Sequence, residues 1–149
     1  MRAVVQRVSE AKVSIAEHVI SEINQGFLVL LGVSEDDTEE DMKWISKKIA
    51  GMRIFTDSEG KMNLNLEQVE GDILLVSQFT LYADTKRGNR PGFSRAAGFD
   101  LGEDLYKKTA AELRNYNLTV KTGEYGADMQ VSLINDGPVT IILDSLDKK

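Results

Sequence analysis

The segment Asn135-Asp136-Gly137-Pro138-Val139-Thr140 constrains the fold more than any other, because it sets a proline between two runs rich in β-branched residues. Met129 to Ile134 and Val139 to Leu143 both read as β-strands, so the pattern predicts a hairpin hinged on the Gly-Pro bond. Proline removes a ladder donor and belongs at a turn or an edge. An X-Pro bond is also the one common place for a cis peptide, at a base rate of about 5–6% in folded proteins. Gly137 would let another molecule approach the backbone closely. A plain hairpin turn and a binding device both fit these six residues.

At 149 residues the chain fits one domain, 1–149, and a domain of this size buries about 68–70% of its unfolded surface. There is no cysteine, which excludes disulfides, thiolate metal sites and a cysteine nucleophile. His18 is the single histidine, so zinc chemistry and a Ser-His triad have little support, and His18 itself reads as a structural or exposed residue. Met1 to Val8 has no long apolar core of a signal peptide, and no stretch approaches the roughly 18 apolar residues of a membrane span. The expectation is a cytoplasmic protein without a membrane partner. A net charge of −6 argues against indiscriminate nucleic-acid binding, and no DNA partner is expected. Lys86, Arg87, Arg90 and Arg95 nevertheless cluster without an intervening acid; the loop is either simply solvated or contacts phosphate.

Ala3 to Val8, Val13 to Ile20 and Phe27 to Val33 read as the opening strands of an antiparallel sheet. Thr38 and Asp41 resemble a capping box, and Met42, Ile45, Ile49 and Met52 recur at helical spacing, predicting a helix from about 38 to 52. The acids from Glu35 to Asp41 then suit the helix dipole better than a metal site. Ile54 and Phe55 begin a short strand, and Ile73 to Tyr82 a stronger one. The loop from Asp84 to Gly102 carries several glycines and Pro91, and a second helix follows from about 102 to 117, with Leu101, Leu105, Leu113 and Tyr116 on one side. These elements predict a single α+β domain, a mainly antiparallel, barrel-like sheet with two main helices.

The strand at 73 changes character at Ser77-Gln78-Phe79-Thr80-Leu81. Period two would put Gln78, Thr80 and Tyr82 on one face and Ser77 and Phe79 on the other. A buried strand that turns abruptly polar has either internal partners or a ligand. Thr80 has no neighbouring base to make it a nucleophile. Gly123 and Gly126 match no phosphate-loop or dinucleotide fingerprint.

Ser77-Gln78-Phe79-Thr80-Leu81 and Asn135-Asp136-Gly137-Pro138-Val139-Thr140, together with Met1-Arg2-Ala3-Val4-Val5-Gln6-Arg7-Val8 and Gly88-Asn89-Arg90-Pro91, are similar to the D-aminoacyl-tRNA deacylase family. The likeness runs over essentially the whole chain, in order and spacing. Gly92 and Gly98 stand where the family pattern has Ser and Pro, and Tyr125 where Phe is usual.

The resemblance implies a homodimeric editing hydrolase that cleaves the ester between tRNA and a D-amino acid or glycine, with no metal or organic cofactor. It implies a cis bond at Gly137-Pro138, whose carbonyls reach across the dimer into the partner's pocket. Ser77, Gln78, Phe79 and Thr80 would line that pocket, and Arg7 would brace the Gly-Pro turn. An aminoacyl ester is already activated, and the ribose 2′-hydroxyl can assist water, so positioning plus an oxyanion donor suffices; the N–H near Phe79 is the candidate. Thr80 is then either a positioning group or the nucleophile, and the missing activating base favours positioning. A rigid backbone wall at Gly137-Pro138 would exclude an L side chain and admit a D residue. Lys86, Arg87 and Arg90 are candidates for touching RNA. The alternative from another class is a non-enzymatic β-rich dimer that binds a small amine or peptide at the Gly-Pro turn.

Overall fold

The computed structural model describes residues 1–148. Its longest strands are β1 (Arg2–Ile15) and β8 (Gln130–Asp144), which pair antiparallel from Arg2 opposite Asp144 to Ser14 opposite Gln130. The other edge of β1 is shared. Its first half pairs with β3 (Gly26–Gly32) and its second half with β2 (His18–Ile23), both antiparallel. The β1–β2 connection is a tight turn with Ala16 and Glu17 both at positive φ, the twist-matched hairpin geometry. It interrupts the strand expected to run from Val13 to Ile20.

Beyond β3 the sheet continues through β6 (Asp72–Ser77) to β7 (Val120–Thr122), both parallel to their neighbours. Parallel strands covered on both faces read as continuous apolar runs, as Phe27 to Leu31 and Ile73 to Val76 do. Gly26 enters the first parallel rung at φ +157, where a Cβ would lie 1.8 Å from the Asp72 carbonyl oxygen. Strands β4 (Phe55–Thr56) and β5 (Met62–Leu64) form a small separate ladder.

Two helices, α1 (Glu39–Gly51) and α2 (Phe99–Arg114), cover one face of the sheet. Ile45, Ile49 and Leu113 are buried there against Phe27, Val29, Ile73 and Leu75, each worth about 2 kcal/mol in burial. On the other face Leu28, Leu74 and Val76 meet Val8, Val13 and Ile23. The strands curl over their own second face, giving the barrel-like mixed sheet and two helices of an α+β domain.

Three further expectations need correction. First, the Gly-Pro segment is no hairpin, because both flanking runs belong to β8 and pair with the same strand, β1. Gln6 pairs with Thr140 and Val8 with Asn135, so Arg7 alone faces the bulge Asp136 to Val139. Second, the strand at 73 stops at Ser77, and Phe79–Tyr82 is one turn of 3-10 helix. The Gln78 N–H donates to the Leu31 carbonyl at 2.8 Å, the last rung against β3. The turn then folds over Gly32, where a Cβ would lie 3.0 Å from Leu81 Cβ. Third, α2 begins at Phe99, and Tyr116 lies beyond its end. Gly102 sits inside the helix because the Tyr125 hydroxyl occupies the space of a Cβ, 2.2 Å away.

At the start of α1, the Thr38 N–H donates to Asp41 Oδ2 at 2.9 Å, and Lys148 Nζ donates to Asp41 Oδ1 at 2.8 Å. Burial opposes ionisation of Asp41, but the bonds from Lys148, Thr38 and Ser145 outweigh it and hold the carboxyl well below the usual carboxylate range. A carboxyl with a depressed folded-state pKa adds stability above its unfolded pKa and loses it as pH falls through the folded value. Asp41→Asn is therefore expected to cost about 1–2 kcal/mol at neutral pH. In urea titrations the gap from the parent protein should narrow steadily below about pH 4.

Candidate functional site

The end of β6 opens into a cavity of about 510 Å³. Ser77, Gln78 and Phe79 form one side, and Phe99, Tyr125 and Met129 the other. Ser77 and Gln78 are half-buried, whereas Phe79 is 54% exposed. The N–H groups of Phe79 and Thr80 open the 3-10 turn and have no acceptor among the described residues. Orphan donors at the start of a helical turn are ready to bind an anionic or developing oxyanionic oxygen.

The aromatic side is locked from behind. Tyr106 donates to the Leu75 carbonyl at 2.7 Å, its ring lies 5.6 Å from Tyr125, and Tyr125 meets Phe99 edge-on at 5.0 Å. Burial pushes the Tyr106 phenol up to about 12. Burial, with Glu103 nearby, also raises Tyr125. Both phenols are neutral at physiological pH. Asp128 is the one carboxylate in the lining, on its exposed rim. Ser77 is the only hydroxyl nucleophile lining the cavity, and no histidine or lysine accompanies it.

Thr80 is exposed and does not line this cavity; its hydroxyl accepts a hydrogen bond from the Gln78 side-chain amide. Gly137 and Pro138 lie elsewhere, exposed on the β8 bulge. Their peptide bond is cis, and Gly137 adopts φ +138. A Cβ there would lie 2.8 Å from Val139 Cγ2 and 3.0 Å from Arg7 Nη2, so both conformation and space favour glycine.

Arg7 is buried beneath the bulge. Its Nε donates to the Asp136 carbonyl at 2.9 Å, and Nη1 donates to the Ile54 carbonyl at 2.6 Å. The Asn135 carboxamide closes the base of the bulge, accepting from the Val139 N–H at 2.8 Å and donating to Thr140 Oγ1 at 3.0 Å.

Within the chain the predicted residues therefore form two groups. Ser77, Gln78 and Phe79 share the cavity; Arg7, Gly137 and Pro138 share the bulge, which contributes nothing to that lining. Sequence reasoning missed Phe99, Gly126 and Asp128. The available signal was Tyr125-Gly126, a turn with Gly126 at φ +80 beside an aromatic residue. Among the described residues, no group of three or more His, Asp or Glu side chains is placed to hold a metal ion.

Residues 4–144 match the family model described as D-Tyr-tRNA(Tyr) deacylase. The chain is 54% identical to the D-aminoacyl-tRNA deacylase of Thermotoga petrophila over 145 residues, covering 97% of each. It is 56% identical to that of Alteromonas mediterranea, over 94% of this chain and 97% of the relative. A solved structure titled c-Myc DNA Unwinding Element Binding Protein superposes with a TM-score of 0.90 at 40% identity, covering 97% of this chain and 98% of that one. A second, of a probable eukaryotic D-amino acid tRNA deacylase, reaches a TM-score of 0.82 at 18% identity, covering 95% and 97%, and speaks for the fold alone. With likeness of this depth along nearly its whole length, the chain belongs to the D-aminoacyl-tRNA deacylase family.

Proposed function

We propose that the protein hydrolyses the ester linking a D-amino acid, or achiral glycine, to the terminal ribose of tRNA, as a cytoplasmic homodimer. The cavity at the end of β6 carries this reading. It offers the free backbone N–H of Phe79 and the neutral Tyr125 phenol, but no histidine or lysine beside Ser77, and its one carboxylate, Asp128, sits on the exposed rim. Such a site suits an ester that needs positioning and oxyanion stabilisation more than a protein nucleophile. The Phe79 N–H faces the developing oxyanion, water attacks with help from the ribose 2′-hydroxyl, and Ser77 and Gln78 fix the ester. Thr80 orients the Gln78 amide, in keeping with their hydrogen bond.

The separation of the two residue groups supports a composite site. The Gly137-Pro138 backbone is exposed yet outside its own protomer's cavity, so it serves a cavity only from a second copy. There its carbonyls form a wall that rejects an L side chain and leaves the D side chain pointing outward. A wall of backbone, braced by Arg7, cannot rotate away as a side chain would.

Incubation with D-tyrosyl-tRNA and L-tyrosyl-tRNA tests the activity directly. The D ester should be hydrolysed and the L ester spared; equal rates, or an intact D ester, would refute the reading.

Thr80→Ala should lower kcat by less than about tenfold, as expected for a group acting through Gln78. Complete loss with folding and tRNA binding intact would instead make Thr80 the nucleophile.

Gly137→Ala should impair D-ester turnover or admit L substrates, because its Cβ would press on Val139 and Arg7. Gln78→Ala damages the other half of the site. Co-refolding the two variants should restore about a quarter of wild-type sites, since half the dimers are mixed and each mixed dimer regains one intact pocket. A mixture no better than its parents would exclude a pocket shared between copies.

A further inference from the structure

A second cavity, of about 530 Å³, is formed by the loop that follows the 3-10 turn and is lined by Lys86, Arg87 and Arg90. Asp84 and Gly92 close the loop through two backbone hydrogen bonds of 2.7 and 2.9 Å. Asp84 is the only carboxylate in the lining, and its Oδ1 already accepts the Lys86 N–H at 3.0 Å. The three cationic heads form no ion pair or hydrogen bond among the described residues, and all three residues are exposed. Arg95, the fourth cation of the cluster, is committed elsewhere, lying over the Tyr82 ring at 5.6 Å. On a chain of net charge −6, three unpaired cations around one cavity make a local positive patch against the general field.

The basic cavity also adjoins the candidate active site. Phe93 lines it and meets Phe79 edge-on, ring centroids 5.1 Å apart, while Phe79 lines the first cavity. Phe93 is 36% exposed, as befits a partly open ring beside the 54%-exposed Phe79. Cations for phosphates next to open aromatic rings for bases are the chemistry of single-stranded nucleic-acid binding. We propose that the Lys86, Arg87 and Arg90 cavity grips phosphates of the single-stranded 3′ end of tRNA, and that the strand passes over Phe93 and Phe79 to deliver its terminal ester to Ser77 and Gln78. This path rests on the hydrolase reading above.

The triple variant K86Q/R87Q/R90Q tests it, since these side chains support nothing else in the fold. In anisotropy titrations with deacylated tRNA, affinity at low salt should fall at least about tenfold. The slope of log K against log[KCl] should become shallower by about 2, at roughly 0.7 per single-strand phosphate contact. The ratio of kcat/KM for D-tyrosyl-tRNA to that for D-tyrosyl-adenosine, which lacks phosphates, should fall about tenfold as well. An unchanged slope, or equal losses on both substrates, would overturn the path while leaving the hydrolase intact. Binding that follows the expected slope in a protein that cleaves neither ester would instead refute the hydrolase and keep the phosphate site.

Discussion

The pairing of β1 with β8 holds the molecule together, and Arg7 allows that pairing to continue past a proline. A four-residue bulge opposite a single residue leaves carbonyls without ladder partners. The Arg7 guanidinium takes up the Asp136 carbonyl and ties it to the Ile54 carbonyl after α1. The bond to Ile54 is buried, and a buried hydrogen bond from a charged donor is worth about 1.5–3 kcal/mol; the part-buried bond to Asp136 is worth less. The accompanying contact of Arg7 with the Asp136 carboxylate, at 3.6 Å with Asp136 56% exposed, is worth at most about 1 kcal/mol. Arg7 is therefore principally a carbonyl clamp. It keeps the Gly137-Pro138 backbone in one orientation, which a surface loop of the same composition would not do.

The second organising point is the stop at Ser77. Strand β6 is parallel to β3, and its last rung is the Gln78 N–H on the Leu31 carbonyl. Because Gly32 has no side chain, the next turn drops over the end of β3, and Phe79, whose N–H opens the 3-10 turn, lines the cavity. Tyr106 and Tyr125, anchored through α2 and Leu75, hold the opposite wall. The groups this places at the cavity are backbone and aromatic ones, with no histidine and no thiol among them.

Legibility in the sequence followed the range of the interaction. Helix α1 was readable because its signals are local: Thr38, Asp41 and the spacing of Met42, Ile45 and Ile49. Phe27 to Leu31 and Ile73 to Val76 were readable as strands because burial on both faces leaves an unbroken apolar run. The Gly-Pro segment misled, since two β-branched runs around a Gly-Pro pair look alike in a hairpin and in one strand with a wide bulge. Only the length of β1, and Arg7 on it, distinguishes them. Gly102 looked like a helix boundary because the Tyr125 hydroxyl that fills its Cβ space comes from a distant segment.

Residue chemistry alone settled that this chain has no thiol and one histidine, that it forms an α+β domain, and, through its motifs, which family it resembles. Those properties depend on side-chain identity and nearest neighbours. The tertiary structure settled where the motifs go: Ser77 to Phe79 into a cavity, Thr80 out of it, and Gly137-Pro138 onto an exposed bulge remote from that lining. Such placement depends on contacts such as Arg7 with Ile54 and Gln78 with Leu31. Their partners are far apart along the chain, and no local pattern records which carbonyl will face which donor.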